Sequence, residues 1–451
     1  MSSSESTTTG VAGLKKALGK LESYATLVGI LVGSGIFVVV GQAGALTGPS
    51  VPLAYLALLP IVLATAMGYI VFMSTPLGNC PGGAYTHISR TFGAIFPAFM
   101  AVWLQGVAYM GALGLLATAM GEYVKFIFPE VDPLVAGSVA LIFFAGIQFF
   151  GINIYGRIQV GMFVLLLLAI VLLVGPGLFA IKLENFTPLF PFGLKGFMAA
   201  IPPLFISYAA FESLAQSAGE TKEAQKNLPM IFVRGLVATV VIYFFMSLVA
   251  FGVLPYQAAA ASNTVMADAA AQYLPVGGSL IVAIGAIMAC TTSINATMMV
   301  PPRLLLVLSD DHLTPKVFSK LHPVYKTPYI GQIITLVMAL LLMWTRTLDA
   351  ILAVTLQAIF LLYIIHGVAL ICLPFANRKL YDQALVKPPV WFTVLGGCVS
   401  VIALIYCSYS MLLNSWKVIL AWAVAGTGIY FVAVMQARLR KIDLKQMLMD
   451  Q

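Results

Sequence analysis

Charge is scarce in this sequence. Lys, Arg, Asp and Glu make up 9% of the 451 residues, whereas a soluble globular domain carries about 25%. A folded chain of this length could not cover its surface with so few, which excludes an ordinary cytosolic enzyme, a disordered protein and a nucleic-acid binder. Acidic residues are the scarcest of the charged set, 16 against 24 basic, and the net charge of +8 fits basic loops on one side of a membrane. The five cysteines have no CxxC spacing, so neither a disulfide framework nor a zinc site is indicated. Walker loops, nucleophile elbows and metal-ligand clusters are also missing, and the chain is read as no enzyme.

What is present is hydrophobic sequence, 61% of the chain. A membrane-spanning helix needs about 20 mainly apolar residues. Twelve such runs can be placed: about 22–46, 51–76, 92–127, 133–151, 156–180, 197–219, 229–254, 277–308, 328–346, 348–374, 389–412 and 415–437. The fold class is therefore an all-α integral membrane protein of twelve transmembrane helices. Residues 1–21 read as a disordered N-terminal tail, 22–437 as the transmembrane domain and 438–451 as a C-terminal tail. With the N-terminus inside, nineteen of the 24 lysines and arginines lie on the inner side. Only Lys125, Lys182, Lys195, Arg346 and Lys417 lie outside. The positive-inside rule then puts both termini in the cytoplasm.

Two spans carry helix-breaking sequence. The first contains Gly29, Gly33, Ser34 and Gly35, and each glycine weakens a helix by about 1 kcal/mol relative to alanine. Gly29 and Gly33 also form GxxxG, the pattern of close helix contact. The run Gly33-Ser34-Gly35 at mid-span predicts an unwound segment, with freed amides for a carboxylate and freed carbonyls for an ammonium. The sixth span has Pro202-Pro203 and then Phe205-Ile-Ser207-Tyr208-Ala-Ala-Phe211-Glu212. Interruptions five helices apart predict a five-plus-five inverted repeat, about 22–180 and 197–374, with extra helices at about 389–437 and a site at the repeat interface.

Glu212 is the one acid well inside a span, and intramembrane ionisable groups default to function. It is the candidate for proton coupling. His366 in the tenth span reads as a histidine satisfied by a neighbouring carbonyl, and His87 as a loop-edge residue.

Four stretches together resemble the amino acid permeases of the amino acid–polyamine–organocation superfamily. They are Gly33-Ser34-Gly35-Ile36-Phe37; Pro81-Gly-Gly-Ala-Tyr85 with Arg90 and Gly93; Phe211-Glu212-Ser213 with Gly219-Glu220-Thr-Lys222; and Ser293-Ile-Asn-Ala296 with Arg303 and Pro315. The resemblance implies alternating access around a central site. It implies that the Ser34 hydroxyl and the Gly35 and Ile36 amides hold a substrate carboxylate. The carbonyls of Leu31, Ile206 and Ala209 would hold the α-ammonium. Val107, Ala108 and Gly111 would line the side-chain pocket, with Thr297 nearby, and Phe205, Ser207, Tyr208 or Phe211 would flank it. In sodium-coupled proteins of similar fold, hydroxyls at the place of Thr291 and Thr292 join first-span carbonyls in holding Na+; here Gly29 and Val32 would supply the carbonyls, so this resemblance implies a candidate sodium site of these four. The alternative is that these hydroxyls bond their own helix.

Members that exchange arginine-like cations carry a tryptophan where this chain has Ile206 and an asparagine where it has Ala112. With no counter-charge in the pocket, the expected substrate is a small neutral amino acid, carried across a bacterial cytoplasmic membrane as a proton-linked symport or exchange. No cofactor is implied; the coupling ion would be H+ or Na+, and the partners are the substrate and membrane lipid, not nucleic acid. A polyamine or other amine transporter, a sodium-coupled amino acid symporter and a non-transporting amino acid sensor remain as alternatives.

Overall fold

The computed structural model describes residues 10–440 and 442, except 263, 276, 346 and 347. Side chains at 34, 38, 279, 348–352, 410, 411, 414 and 415 lie outside the described set as well. The expected tails at 1–9 and 443–451 fall outside it. No β-strand occurs among the described residues. The helices in chain order are α1 (Lys20–Ser34), α2 (Val40–Thr47), α3 (Val51–Met73), α4 (Ala84–Phe92), α5 (Ile95–Ile127), α6 (Pro133–Phe149), α7 (Ile152–Phe179), α8 (Gly193–Ile206) and α9 (Ser213–Gln216). Then come α10 (Ala224–Val253), α11 (Tyr256–Ala261), α12 (Val265–Ala271), α13 (Gly278–Met298), α14 (Val300–Asp310), α15 (Tyr329–Trp344), α16 (Leu348–Ala376), α17 (Arg378–Asp382) and α18 (Val390–Leu439). Among the described residues, eight helical stretches are long and apolar enough to cross a membrane, and three shorter apolar helices accompany them. The chain is an integral, multi-pass membrane protein.

Local sequence sets many of the boundaries. Asp132 caps α6 by accepting from the Leu134 and Val135 amides at 2.8 and 3.3 Å, with Pro133 as the first helical residue. Such a cap stabilises a helix by about 1 kcal/mol. Gly93 ends α4 in the left-handed region, φ 60°, which glycine adopts without strain. The short helices α11 and α12, between the seventh and eighth spans, have no counterpart in the sequence reading.

The first span differs from expectation. It does not unwind at Ser34–Gly35; it continues as a π-helical turn over Gly35–Val39 and then as α2. The glycines serve close packing. A Cβ on Gly33 would fall 1.6 Å from Ser293 Oγ, and one on Gly35 would fall 2.6 Å from the Ser207 Cα. The helix axis runs against its neighbours where a side chain would not fit, and the wider turn keeps the backbone hydrogen-bonded there. Single π turns of this kind are frequent at functional sites.

The sixth span is interrupted as expected. Helix α8 stops at Ile206, six residues follow in turns, and α9 starts at Ser213. Within the gap Ala210 takes φ 72°, a conformation costly for an L residue.

Helix α18 covers 50 residues and contains two apolar stretches long enough to cross a membrane, Val390–Tyr409 and Trp416–Leu439. A straight helix of that length would measure about 75 Å, well over twice the ~30 Å of a bilayer's apolar core. Its contacts show that it doubles back. Thr393, near its start, bonds Tyr381, while Asn377 bonds the Arg90 carbonyl, so this end of α18 shares one side of the bundle with the start of α5. Tyr430, near its other end, packs on Phe96 and Phe99 of that same α5 end. The eleventh and twelfth runs thus lie side by side as two antiparallel stretches.

The N-terminal segment is pinned from Gly10 onward, where the sequence suggested a disordered tail to residue 21. The Ala17 and Leu18 amides donate to the Glu220 carbonyl, Lys222 N–H donates to Leu18 O, and Val11 N–H donates to Asp310 Oδ2 at 2.6 Å.

Candidate functional site

The π turn of the first span and the gap in the sixth meet face to face. The Tyr243 hydroxyl, from α10, lies against both the Leu31 carbonyl and the Ser207 carbonyl, the latter at 2.7 Å. Tyr55, from α3, places its hydroxyl 3.2 Å from Ser207 Oγ. The Tyr208 ring packs edge-on against Tyr55 and Tyr243, with centroids 6.0 and 5.0 Å apart. Three buried tyrosines therefore gather where the π turn of span one meets the gap of span six, and the Tyr243 hydroxyl reaches a backbone carbonyl of each.

Glu212 lies at the far end of the gap, fully buried. Its Oε1 accepts from the Tyr109 hydroxyl of α5 at 2.8 Å, and its Oε2 accepts from the Tyr363 hydroxyl of α16. The Tyr363 oxygen in turn accepts from the Ala210 amide at 3.0 Å. One carboxyl thus ties the interrupted span to two others through hydroxyl donors. Ionised, it accepts from both phenols; with a proton on one oxygen it gains a donor there and keeps its remaining acceptor capacity.

The sequence-derived residues fall as follows. Leu31, Gly35, Ile36, Ser207 and Tyr208 converge at the meeting of the two spans, all buried. The Ser34 side chain lies outside the described residues. Ile206 and Ala209 are half-buried beside them. Phe205 turns to α16, packing on Phe360 and Tyr363 at 5.7 and 6.5 Å. Phe211 stacks on Tyr363 at 5.0 Å. Ala108 and Gly111 are buried on α5 and Val107 is half-buried, next to Tyr109. Thr297 is buried near the end of α13.

The candidate sodium residues are not drawn together as a set. Thr291 donates to Met288 O of its own helix. Thr292 Oγ1 lies 2.7 Å from Ala289 O and 3.0 Å from Gly29 O. Ser293 Oγ lies 2.9 Å from Ile30 O and 3.2 Å from Gly29 O. The hydroxyls act as interhelical ties between α1 and α13. Behind them Gln159 donates to Ala25 O and Thr292 O, and Asn295 donates to Gln159 Oε1 at 2.8 Å.

Sequence reading missed Tyr55, Tyr109, Tyr243 and Tyr363, because nothing in an apolar run tells a packing tyrosine from one whose hydroxyl meets a buried carboxyl. It also misplaced both histidines. His87 is buried within α4, not at a loop edge, and His366 is satisfied by the His87 ring, not by a carbonyl: His87 Nδ1 stands 2.9 Å from His366 Nε2. The sequence places them 279 residues apart, with no spacing to connect them.

A multi-pass helical bundle with a polar meeting point of two interrupted helices is the architecture of a membrane transporter. A family model for amino acid permeases matches residues 18–434, and the chain belongs to that family, within the amino acid–polyamine–organocation superfamily. A branched-chain amino acid permease of Bacillus subtilis is 25% identical, covering 94% of each chain. A methylthioribose transporter of that organism is 27% identical over 90% of each. A serine/threonine exchanger, also from B. subtilis, is 27% identical over 78% of this chain and 82% of its own.

Proposed function

We propose that this protein is a secondary transporter that moves small neutral amino acids across a bacterial cytoplasmic membrane by alternating access, linked to protons. Twelve crossings, arranged as a five-plus-five inverted repeat with two extra helices, have their N- and C-termini in the cytoplasm. The substrate binds where the π turn at Gly35 faces Ser207. Its carboxylate meets the Gly35 and Ile36 amides, and its ammonium meets the carbonyls of Leu31, Ile206 and Ala209. To open that site, the Tyr243 hydroxyl leaves one of the two carbonyls it spans. Val107, Ala108 and Gly111 offer the side chain an uncharged wall.

The observation that carries this reading is Glu212, buried at the gap in span six and held by two phenolic hydroxyls, with Tyr363 also bound to the gap's own Ala210 amide. A proton taken up there changes the charge and the donor pattern of the ties to α5 and α16, and a conformational step that depends on those ties then depends on the proton. The neutral substrates named for two of the relatives support the substrate class.

The test is uptake of labelled neutral amino acids into proteoliposomes from pH 5 to 8, with Na+ or choline outside. Uptake driven by a pH gradient, indifferent to Na+ and flattened in its pH profile by Glu212→Gln is the expected result. An unchanged profile in Glu212→Gln would sink the proton role, and dependence on Na+ that Thr292→Val abolishes would replace it with the sodium site. The methylthioribose transporter among the relatives favours a second reading, a neutral polar solute other than an amino acid. Competition of uptake by methylthioribose, amino acids and their decarboxylated amines separates the three.

A further inference from the structure

Ionisable groups in the interior of a membrane bundle mark proton paths more often than they serve packing, and the His87–His366 pair has no part in the substrate site. In a neutral pair one ring nitrogen donates and the other accepts, so the 2.9 Å contact forms without any net charge. The rings are closely held. Tyr69 of α3 stacks on His366 with centroids 4.0 Å apart, and Phe72 stacks on His87 at 4.6 Å. Gly68 makes the room, because a Cβ there would lie 2.7 Å from His366 Cε1.

Ring contacts connect the pair to Glu212. Tyr363 donates to Glu212, the Tyr363 and Tyr69 rings are 6.4 Å apart, and Tyr69 touches His366. The Tyr69 hydroxyl is buried and has no hydrogen-bond partner among the described residues. A phenol buried in that way costs about 1–3 kcal/mol, and its position between two proton-bearing groups accounts for it. Beyond His87 the connection reaches the last turn of α4. There Arg90 meets Asp311 at 3.3 Å, Tyr85 bonds the same carboxylate, and the Arg90 carbonyl accepts from Asn377. The other titratable group at the upper end is Tyr109, on Glu212. Among the described residues, α3 and the stretch of α18 from Val390 to Trp416 bring no charged residue to the pair, and Arg234 of α10 is exposed.

We infer that His366 and His87 form the exit station through which the proton carried by Glu212 reaches the lysine- and arginine-rich side of the membrane. The inference rests on the proton-linked reading of Glu212. The transfer balances at each station. Glu212 gives up its carboxyl proton to Tyr363, which releases its own, and bridging waters at the unpartnered Tyr69 hydroxyl take and release one proton each on the way to His366. His366 gains a proton on Nδ1 and passes the one on Nε2 to His87 Nδ1. His87 then releases the proton on its Nε2 to the aqueous side.

Three variants test it in proteoliposomes: His366→Gln, His87→Gln and Tyr69→Phe. Two rates are read, net uptake driven by a pH gradient and substrate-for-substrate exchange at equal pH. Net uptake should fall about a hundredfold, the low end of what a positioned proton-transfer group contributes, while exchange persists. Wild-type net uptake and pH profile in the three variants would overturn the inference, as would parallel loss of both rates with a lowered unfolding temperature, the mark of a structural tie. Tyr69→Phe removes one oxygen and leaves the pair, so it decides the matter if the histidine variants do not fold. The two readings fail separately: an unchanged pH profile in Glu212→Gln sinks the role of Glu212, whereas a flattened one beside proton-driven uptake intact in the histidine and tyrosine variants sinks the exit station alone.

Discussion

Glu212 and Glu220 are eight residues apart and both are buried, yet their surroundings differ in kind. Glu220 accepts from Arg303 through both oxygens, Oε2 from Nε at 3.0 Å and Oε1 from Nη2 at 3.2 Å, and Arg303 also donates to Met299 O. Its charge is matched by a cation in a fixed, two-pronged geometry. Its own carbonyl holds the Ala17 and Leu18 amides, so the pair locks the N-terminal segment, the end of span six and the start of α14 together. Glu212 meets only hydroxyls. An acid with a matched cation is a clasp, whereas an acid held by neutral donors can change its charge without leaving an uncompensated partner behind. The same side chain is thus fastened by a cation at one position and held only by neutral hydroxyls at the other.

The comparison breaks most visibly at the clasp. Arg303→Met or Glu220→Ala alone should destabilise the protein by about 3–5 kcal/mol, since either leaves a buried charge unpaired. Thermal unfolding in detergent measures this, and the double variant Glu220→Leu/Arg303→Met should recover most of it. Gly35→Leu should abolish substrate binding while leaving membrane insertion intact, because the new side chain collides with the Ser207 backbone. The readout is loss of the ligand-induced stabilisation, about 2.7 kcal/mol at a hundred times the dissociation constant in wild type.

Tyr363→Phe should cost about 1–3 kcal/mol by leaving the Ala210 amide without its acceptor and Glu212 with one donor fewer. Glu212→Gln should cost less still, because an amide can keep both phenols as partners, while the pH profile of transport flattens. A stability loss as large as that of Glu220→Ala would show instead that Glu212 is a second clasp.

At the small end stands Asp382, an exposed carboxylate beside Lys387 and Arg378, which hold it below the usual carboxylate range. Whatever stability it adds is complete above its unfolded value and disappears as pH falls through the lowered folded one. Asp382→Asn should leave the unfolding temperature at neutral pH unchanged, because exposed pairs contribute little and salt screens them.

Much of the architecture was legible from composition and spacing. The apolar runs match the observed helices closely, with 133–151 realised as Pro133–Phe149 and 328–346 as Tyr329–Trp344. The gap in span six was legible because two prolines and a run of polar and aromatic residues leave little for a helix to gain. Span one was half legible. Its glycines marked a special place, but glycine permits both unwinding and close approach, and only the neighbours Ser207 and Ser293 decide between them. The two apolar stretches of α18 were readable as separate runs, because bilayer thickness limits the length of a crossing.

The sequence by itself determined that this chain lives in lipid, roughly where it crosses, and that one acid lies buried in span six. Those are properties of local hydrophobicity, and a segment's partition into lipid depends mainly on its own side chains. Tertiary structure alone decided which hydroxyls reach Glu212, that Arg303 answers Glu220, and that His87 meets His366 across 279 residues. A hydrogen bond needs two groups within about 3 Å, and nothing in either segment's own hydrophobicity states which distant segment folding brings to it.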